Sequence, residues 1–213
     1  MGTKIILSSL VILFMTSSAT IQAQPIEGVY RMSGGHEMVA AFEFKKDSSF
    51  KFYFIYGAID RNSSGRFTIY DGKIILHAEK EPGNDFTITS QGQRGDGTAI
   101  QLSDRNPYLI RNVVGIFKKG TEQDQQFSNN DGYMHSDLNE CDSIMVIHTL
   151  FPDVPTFIKK TQPKNNYFEL TLNPSLAQLS FRDFTLSINR EGLRGNLPWL
   201  FEREEAVFVK VSE

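Results

Sequence analysis

The chain has 213 residues, with 22 Lys and Arg against 25 Asp and Glu, a formal net charge of −3, and the two signs interspersed. Without a basic stripe, nucleic acid is excluded as the first partner to consider. Cys141 is the single cysteine, so an internal disulfide and any zinc site built on thiolates are excluded, and a lone thiol of this kind reads as a buried small hydrophobe.

At the start of the chain, Lys4 is followed by an apolar run from Ile5 to Phe14, broken only by Ser8 and Ser9, and then by mostly small and polar residues up to Gln24. This is the layout of a secretory signal peptide, with cleavage expected after Ala23. The apolar core is short for a membrane span of ~20 residues. Residues 1–23 are therefore expected to leave. What remains is an exported chain of about 190 residues, periplasmic or extracellular, with no membrane span after signal removal.

Alternation then dominates. Met38, Ala40, Phe42 and Phe44 share one face, and after the polar turn 45–49 so do Phe50, Phe52, Phe54 and Tyr56. A period of two is the strand signal, and the pair reads as a hairpin. Next come Gly65–Tyr70 and Lys73–His77 around Asp71-Gly72, the dipeptide that favours a type I′ turn. Gly57-Ala58 lets the chain bend, and a loop of about eight residues carrying Asp60 and Arg61 is expected after it. Further strands are expected at 86–89, 98–102 and 113–118. Residues 24–119 thus read as an antiparallel meander, curled into a barrel or half-barrel.

Residues 120–142 begin with a polar tract, Thr121-Glu122-Gln123-Asp124-Gln125-Gln126, and read as a linker or loop. Beyond it, strands are expected at 143–148, 156–159, 167–172, 184–189 and 206–211, with prolines between them, and one short helical turn at 176–181. Residues 143–213 therefore read as a small β-sandwich-like module. The fold class is all-β.

The motif residues of the first module carry a resemblance. Gly28-Val29-Tyr30, the Lys-Asp turn ending in Phe50-Lys51-Phe52, Gly65-Arg66-Phe67-Thr68-Ile69 and Asp71-Gly72-Lys73-Ile74-Ile75-Leu76 resemble the lipocalin-like domains of secreted bacterial proteins. Tyr56-Gly57-Ala58-Ile59-Asp60 with Gly65 looks like the YGAxD segment of an uncharacterised family of exported bacterial proteins. The likeness covers about residues 26–80. Tyr30 stands where the pattern has tryptophan, and Ser48 where it has the glycine after the turn aspartate. The resemblance implies a meander barrel and brings no catalytic residues.

Chemistry-bearing residues are few. His36 and Glu37 follow Gly34-Gly35 and, with Tyr56, Asp60 and Arg61, are candidate ligand contacts on loops 33–37 and 57–64 of a barrel mouth. His135 and Asp137 share a face if extended and are an alternative metal pair. No G-x-S-x-G motif and no phosphate-cradling glycine loop is present, and no pair of carboxylates stands out, which argues against an enzyme. No cofactor is implied. The reading is a non-catalytic binding or envelope-associated protein, with an apolar small molecule or an envelope protein as partner. Two alternatives are kept: a secreted hydrolase whose site assembles only in three dimensions, and an assembly module that pairs through strand edges.

Overall fold

The computed structural model describes residues 26–34, 37–197 and 205–212; the expected signal peptide and His36 lie outside them. The strands are β1 (Gly28–Met32), β2 (Met38–Phe44), β3 (Ser49–Tyr56), β4 (Ile59–Tyr70), β5 (Lys73–Ala78), β6 (Phe86–Gly92) and β7 (Thr98–Ser103). One helical turn, α1 (Pro107–Ile110), follows. Then come β8 (Val113–Lys119), β9 (Glu122–Phe127), β10 (Tyr133–Ser136), β11 (Ser143–His148), β12 (Thr156–Phe157), β13 (Tyr167–Leu172), β14 (Thr185–Asn189), β15 (Gly192–Gly195) and β16 (Ala206–Lys210). The protein is all-β.

Eight strands, β1 to β5 and β14 to β16, close an antiparallel up-and-down barrel. Two long-range seams complete it: β5 pairs with β14 (Ile74 opposite Leu186), and β16 pairs with β1 (Lys210 opposite Tyr30). Closure removes the unpaired edges that an open sheet would present. The alternation of β2 and β3 sends Phe42, Phe44, Phe50, Phe52 and Phe54 inward, where they meet Phe67 and Phe208. Ring centroids lie 4.6 Å apart for Phe42–Phe52, 5.0 Å for Phe42–Phe208 and 5.0 Å for Phe44–Phe67. Phe181, on the connection into β14, enters the same core 5.2 Å from Phe52. Each such ring contributes about 1.5–3 kcal/mol by burial, so the interior is a core of packed aromatic side chains.

The turns follow local chemistry. Asp71 and Gly72 both have positive φ, as a type I′ hairpin requires. At Gly57-Ala58 only the glycine has positive φ, +57°, which matches a two-residue type II′ turn. The eight-residue loop expected there does not form. Instead β4 runs unbroken from Ile59 to Tyr70, because every residue from 59 to 66 has a partner on β3. Below the end of β5, segment 177–179 covers the other side of β4, with Leu179 N donating to Asn62 O at 2.9 Å.

The modules are divided differently from the expected 24–119 and 143–213. The barrel is drawn from both ends of the chain, and residues 79–184 are inserted between β5 and β14. The insert holds two four-stranded sheets, β10-β7-β13-β6 and β12-β11-β8-β9. They share one core containing Ile100, Phe117, Val146, Phe168 and Leu170. Strands β6 to β8, expected in the barrel, belong to this sandwich; β14 to β16, expected in the C-terminal module, complete the barrel. The expected linker 120–142 contains β9 and β10. Its polar tract forms β9, the outer strand beside β8, reached through a tight turn at Gly120 (φ +58°) that sets Lys119 opposite Glu122. The expected helical turn at 176–181 consists of turns and a bridge to β4. Alternation identifies a strand and its buried face, but it does not identify the strand's partner.

Candidate functional site

The barrel end that carries the β3–β4 turn receives the insert, and a buried ionic cluster joins the two bodies. Arg61 and Phe54 are paired across β4 and β3 and both point inward, and Arg61 is 1% exposed. Its guanidinium donates to the carbonyl of Pro152 at 2.6 Å, of Gln178 at 3.3 Å and of Ala177 at 3.4 Å. Lys80 lies 2.5 Å from Asp85 and 3.3 Å from Asp153. It also donates to the carbonyl of Gln178 at 2.7 Å. Ser180 binds Asp153 through both its backbone amide and its hydroxyl. Burial pushes the Asp85 carboxyl up and the Arg61 guanidinium down to about 10. These charges hold one another out of water, so the cluster acts as a clamp between barrel and insert.

His148 adjoins this region, its ring 5.1 Å from that of Phe151, over which Arg61 lies. Its Nε2 faces the Leu109 carbonyl at 3.1 Å and its Nδ1 accepts from Leu150 N at 3.2 Å. That pair of contacts fits the neutral imidazole protonated on Nε2. Desolvation, with the nearby Arg61 charge, pushes its pKa down to about 4.

The positions picked from the sequence do not converge. Glu37 and Asp60 are exposed, Tyr56 is half-exposed at the end of β3, and Arg61 is engaged inside. Asp60 and Arg61 are adjacent in a strand and so point to opposite faces. His135 Nδ1 lies 3.7 Å from Asp137 Oδ1. Among the described residues, no group of three or more His, Cys, Asp and Glu side chains could hold a metal ion. Cys141 is buried, with its sulfur 3.4 Å from the Thr98 hydroxyl.

The second concentration of chemistry lies on the outer face of sheet β10-β7-β13-β6. In register across it run His135, Ala99, Tyr167 and Gly92, and beside them Tyr133, Gln101, Glu169 and Ser90. The opposite faces of these strands carry Met134, Ile100 and Phe168 into the core, so alternation turns the polar and aromatic set outward. Ala99, buried, and Gln101 on β7 form the floor, with His135 and Tyr133 on one flank, Tyr167 on the other and Arg94, Gly95 and Asp96 at the end. The result is a trough of about 430 Å³.

Its end is built with care. The connection 93–97 crosses the start of β13 and is held by Asn166. That side chain accepts from Arg94 N at 2.8 Å and donates to the carbonyls of Gly95 and Gly97, each at 3.0 Å. The loop sets the Arg94 guanidinium 4.8 Å from the Tyr167 ring centroid, a cation–π contact. It also brings the Asp96 carbonyl within 3.1 Å of His135 Nε2. Gly97 (φ +75°) admits no side chain, since a Cβ there would fall 2.3 Å from Ser136 O and 2.7 Å from His135 Nε2. Tyr167 donates to Glu169 at 3.4 Å. His135 was legible as a candidate. Arg94, Ala99, Gln101 and Tyr167 were not, because the parallel pairing of β7 with β13 brings together residues far apart in the chain.

No family model and no curated protein matches this chain.

Proposed function

We propose that the chain is an exported, non-catalytic binding protein whose recognition surface is the trough over β7. The observation that carries this reading is the row His135–Ala99–Tyr167: two rings flanking a methyl group, with Arg94, Asp96 and Gln101 around them. Stacking surface with a few polar groups at its rim is the composition of a ligand site. The barrel interior is a poorer place for an apolar molecule, because its aromatic rings already pack against one another. An envelope partner or small ligand is therefore expected on the insert's sheet. The signal-like residues 1–23 support export. A hydrolase would need a hydroxyl nucleophile beside a base, whereas His135 faces the Asp96 carbonyl and Asp137.

The test is to purify the protein from the cell fraction in which it accumulates and to titrate the ¹⁵N-labelled chain with a mixed panel of soluble sugars, aromatic metabolites and short peptides. Amide shifts confined to residues 92–101, 133–136 and 167–169 are expected. Shifts confined to the barrel strands, or no shifts with any probe, would refute the reading.

A further inference from the structure

We infer that the trough takes one ring of a neutral saccharide, seated between His135 and Tyr167. This rests on the trough being the binding surface, and adds the chemical class of the ligand.

The width of the trough comes from sheet geometry. His135 on β10 and Tyr167 on β13 both sit opposite Ala99 on β7, which lies between them. Neighbouring strands are ~4.8 Å apart, so the two flanking side chains stem from backbones about 9.6 Å apart. A flat aromatic ring at van der Waals contact with two walls fills only about 7–8 Å. A puckered pyranose, with C–H bonds on both faces, is thicker and fills the remainder. Ala99, 5% exposed, forms the base between the walls, and any larger residue there would intrude on the space above it.

The chemistry agrees with the width. A pyranose has two apolar C–H faces and a rim of hydroxyls, each able to donate and to accept. The trough offers aromatic side chains on two sides, His135 stacked beside Tyr133 and Tyr167 beneath the Arg94 guanidinium, and around them acceptors and donors of both kinds. Beyond the lining, two residues along β13, the Glu169 carboxylate accepts from the Tyr167 hydroxyl. The Gln101 amide nitrogen donates to the Asp131 carbonyl at 2.7 Å and to its neighbour Leu102 at 3.0 Å, which leaves the amide oxygen as its acceptor. Arg94, exposed and braced over Tyr167, supplies donors. Positive and negative residues are mixed there, with Arg94 and Asp96 both in the lining, so the surface favours neither an anionic nor a cationic ligand. The paired outward positions of this sheet carry no large aliphatic side chain. That argues against a lipid or an apolar protein face as the occupant.

The test is isothermal titration of the exported chain with four probes (cellohexaose, xylohexaose, chitohexaose and mannohexaose) and with adenosine as the flat aromatic comparison. Binding of at least one oligosaccharide is expected, weakened at least tenfold in Tyr167→Ala and changed by less than threefold in Tyr167→Phe. Because a wall residue also packs on its sheet, Ala99→Leu is the second variant: it removes no wall and fills the floor, and it should also abolish binding. Oligosaccharide binding that survives both Tyr167→Ala and Ala99→Leu would overturn the inference. Adenosine binding with trough amide shifts, and no oligosaccharide binding, would overturn the saccharide and leave the trough as the binding surface. No trough shifts with any of the five probes or with the broader panel would overturn both.

Discussion

Arg61, on strand β4 of the barrel, donates from Nη1 to the carbonyl oxygen of Pro152 in the insert at 2.6 Å, a contact between residues 91 apart in the chain. The same guanidinium also reaches Ala177 and Gln178 on the return connection, so one side chain ties the barrel to two separate stretches of the insert. Removing it as Arg61→Met leaves three carbonyls without this donor and takes a cation away from Asp85 and Asp153. The expected loss is about 3–5 kcal/mol, the range for breaking a buried charged network, read as a lower urea midpoint. Arg61→Lys should recover only part of it, because an ammonium cannot span the fork of contacts a guanidinium makes. A loss below about 1 kcal/mol in Arg61→Met, the range of exposed ion pairs, would show that the clamp is not structural.

The same residue shows where sequence reading stops. Alternation identified β2 and β3 and their inward phenylalanines, and Asp71-Gly72 identified its turn, because those signals lie within a few residues of one another. Arg61 looked like a loop residue because Asp60-Arg61-Asn62-Ser63-Ser64 has no apolar alternation. It is strand nonetheless: its inward positions, Arg61 and Ser63, meet carbonyls of segment 177–179 instead of apolar side chains. The polar tract 122–126 lacks a strand signal for a related reason, since β9 is an outer strand whose residues are mostly exposed. The barrel seam between Tyr30 and Lys210, and the trough between His135 and Tyr167, join segments with no local signal in common. Only the folded sheets bring them together.

Stability should depend on His148. Its folded pKa is pushed down to about 4 by burial, while in the unfolded chain it titrates near its ordinary value of about 6.5. Above that value both states are neutral and the residue imposes no penalty. As pH falls from about 6.5 to about 4, the unfolded state takes up a proton that the folded state refuses. Stability therefore drops across this window, by about 1.4 kcal/mol per pH unit at its steepest and about 3 kcal/mol in all. Urea midpoints measured between pH 7.5 and pH 4 should show this fall. In His148→Gln, which keeps a donor and an acceptor but does not titrate, the slope through this window should be shallower. An unchanged slope would rule out His148 as its source.

Ser48 closes the β2–β3 turn with φ +63°, a left-handed conformation in which a side chain is strained and glycine is not. Its carbonyl still accepts from Phe67 N at 2.9 Å, and Asp47 caps the turn by accepting from the Ser49 amide and hydroxyl. Those bonds do not involve the Ser48 side chain and survive its removal. Ser48→Gly should therefore stabilise the protein by about 0.5–1 kcal/mol, the strain relieved less the added freedom of the unfolded chain. Ser48→Val should destabilise it, because a β-branched residue tolerates positive φ least. Thermal melts of the two variants should bracket the wild type, and a Gly variant that melts lower would contradict the account of the turn.

Asn166 is the residue on which the end of the trough depends. Its side chain accepts from Arg94 N and donates to the carbonyls of Gly95 and Gly97, so it replaces a stretch of sheet pairing for a loop that has none. In Asn166→Ala those backbone groups lose their partner and turn to water, at an expected cost of about 0.5–1.5 kcal/mol. The loss should be local: hydrogen exchange at the Arg94 amide should speed up while the amides of β2 and β3 keep their protection. With the loop released, Arg94 is no longer held over Tyr167, so any ligand of the trough should bind less tightly even though no group proposed to touch it has been removed. Asn166→Asp separates the two halves of the role. A carboxylate still accepts from Arg94 N but cannot donate to Gly95 and Gly97, so the Arg94 amide should stay protected while stability still falls. Equal exchange at Arg94 in the wild type and Asn166→Ala would show that the loop is held by something other than this side chain.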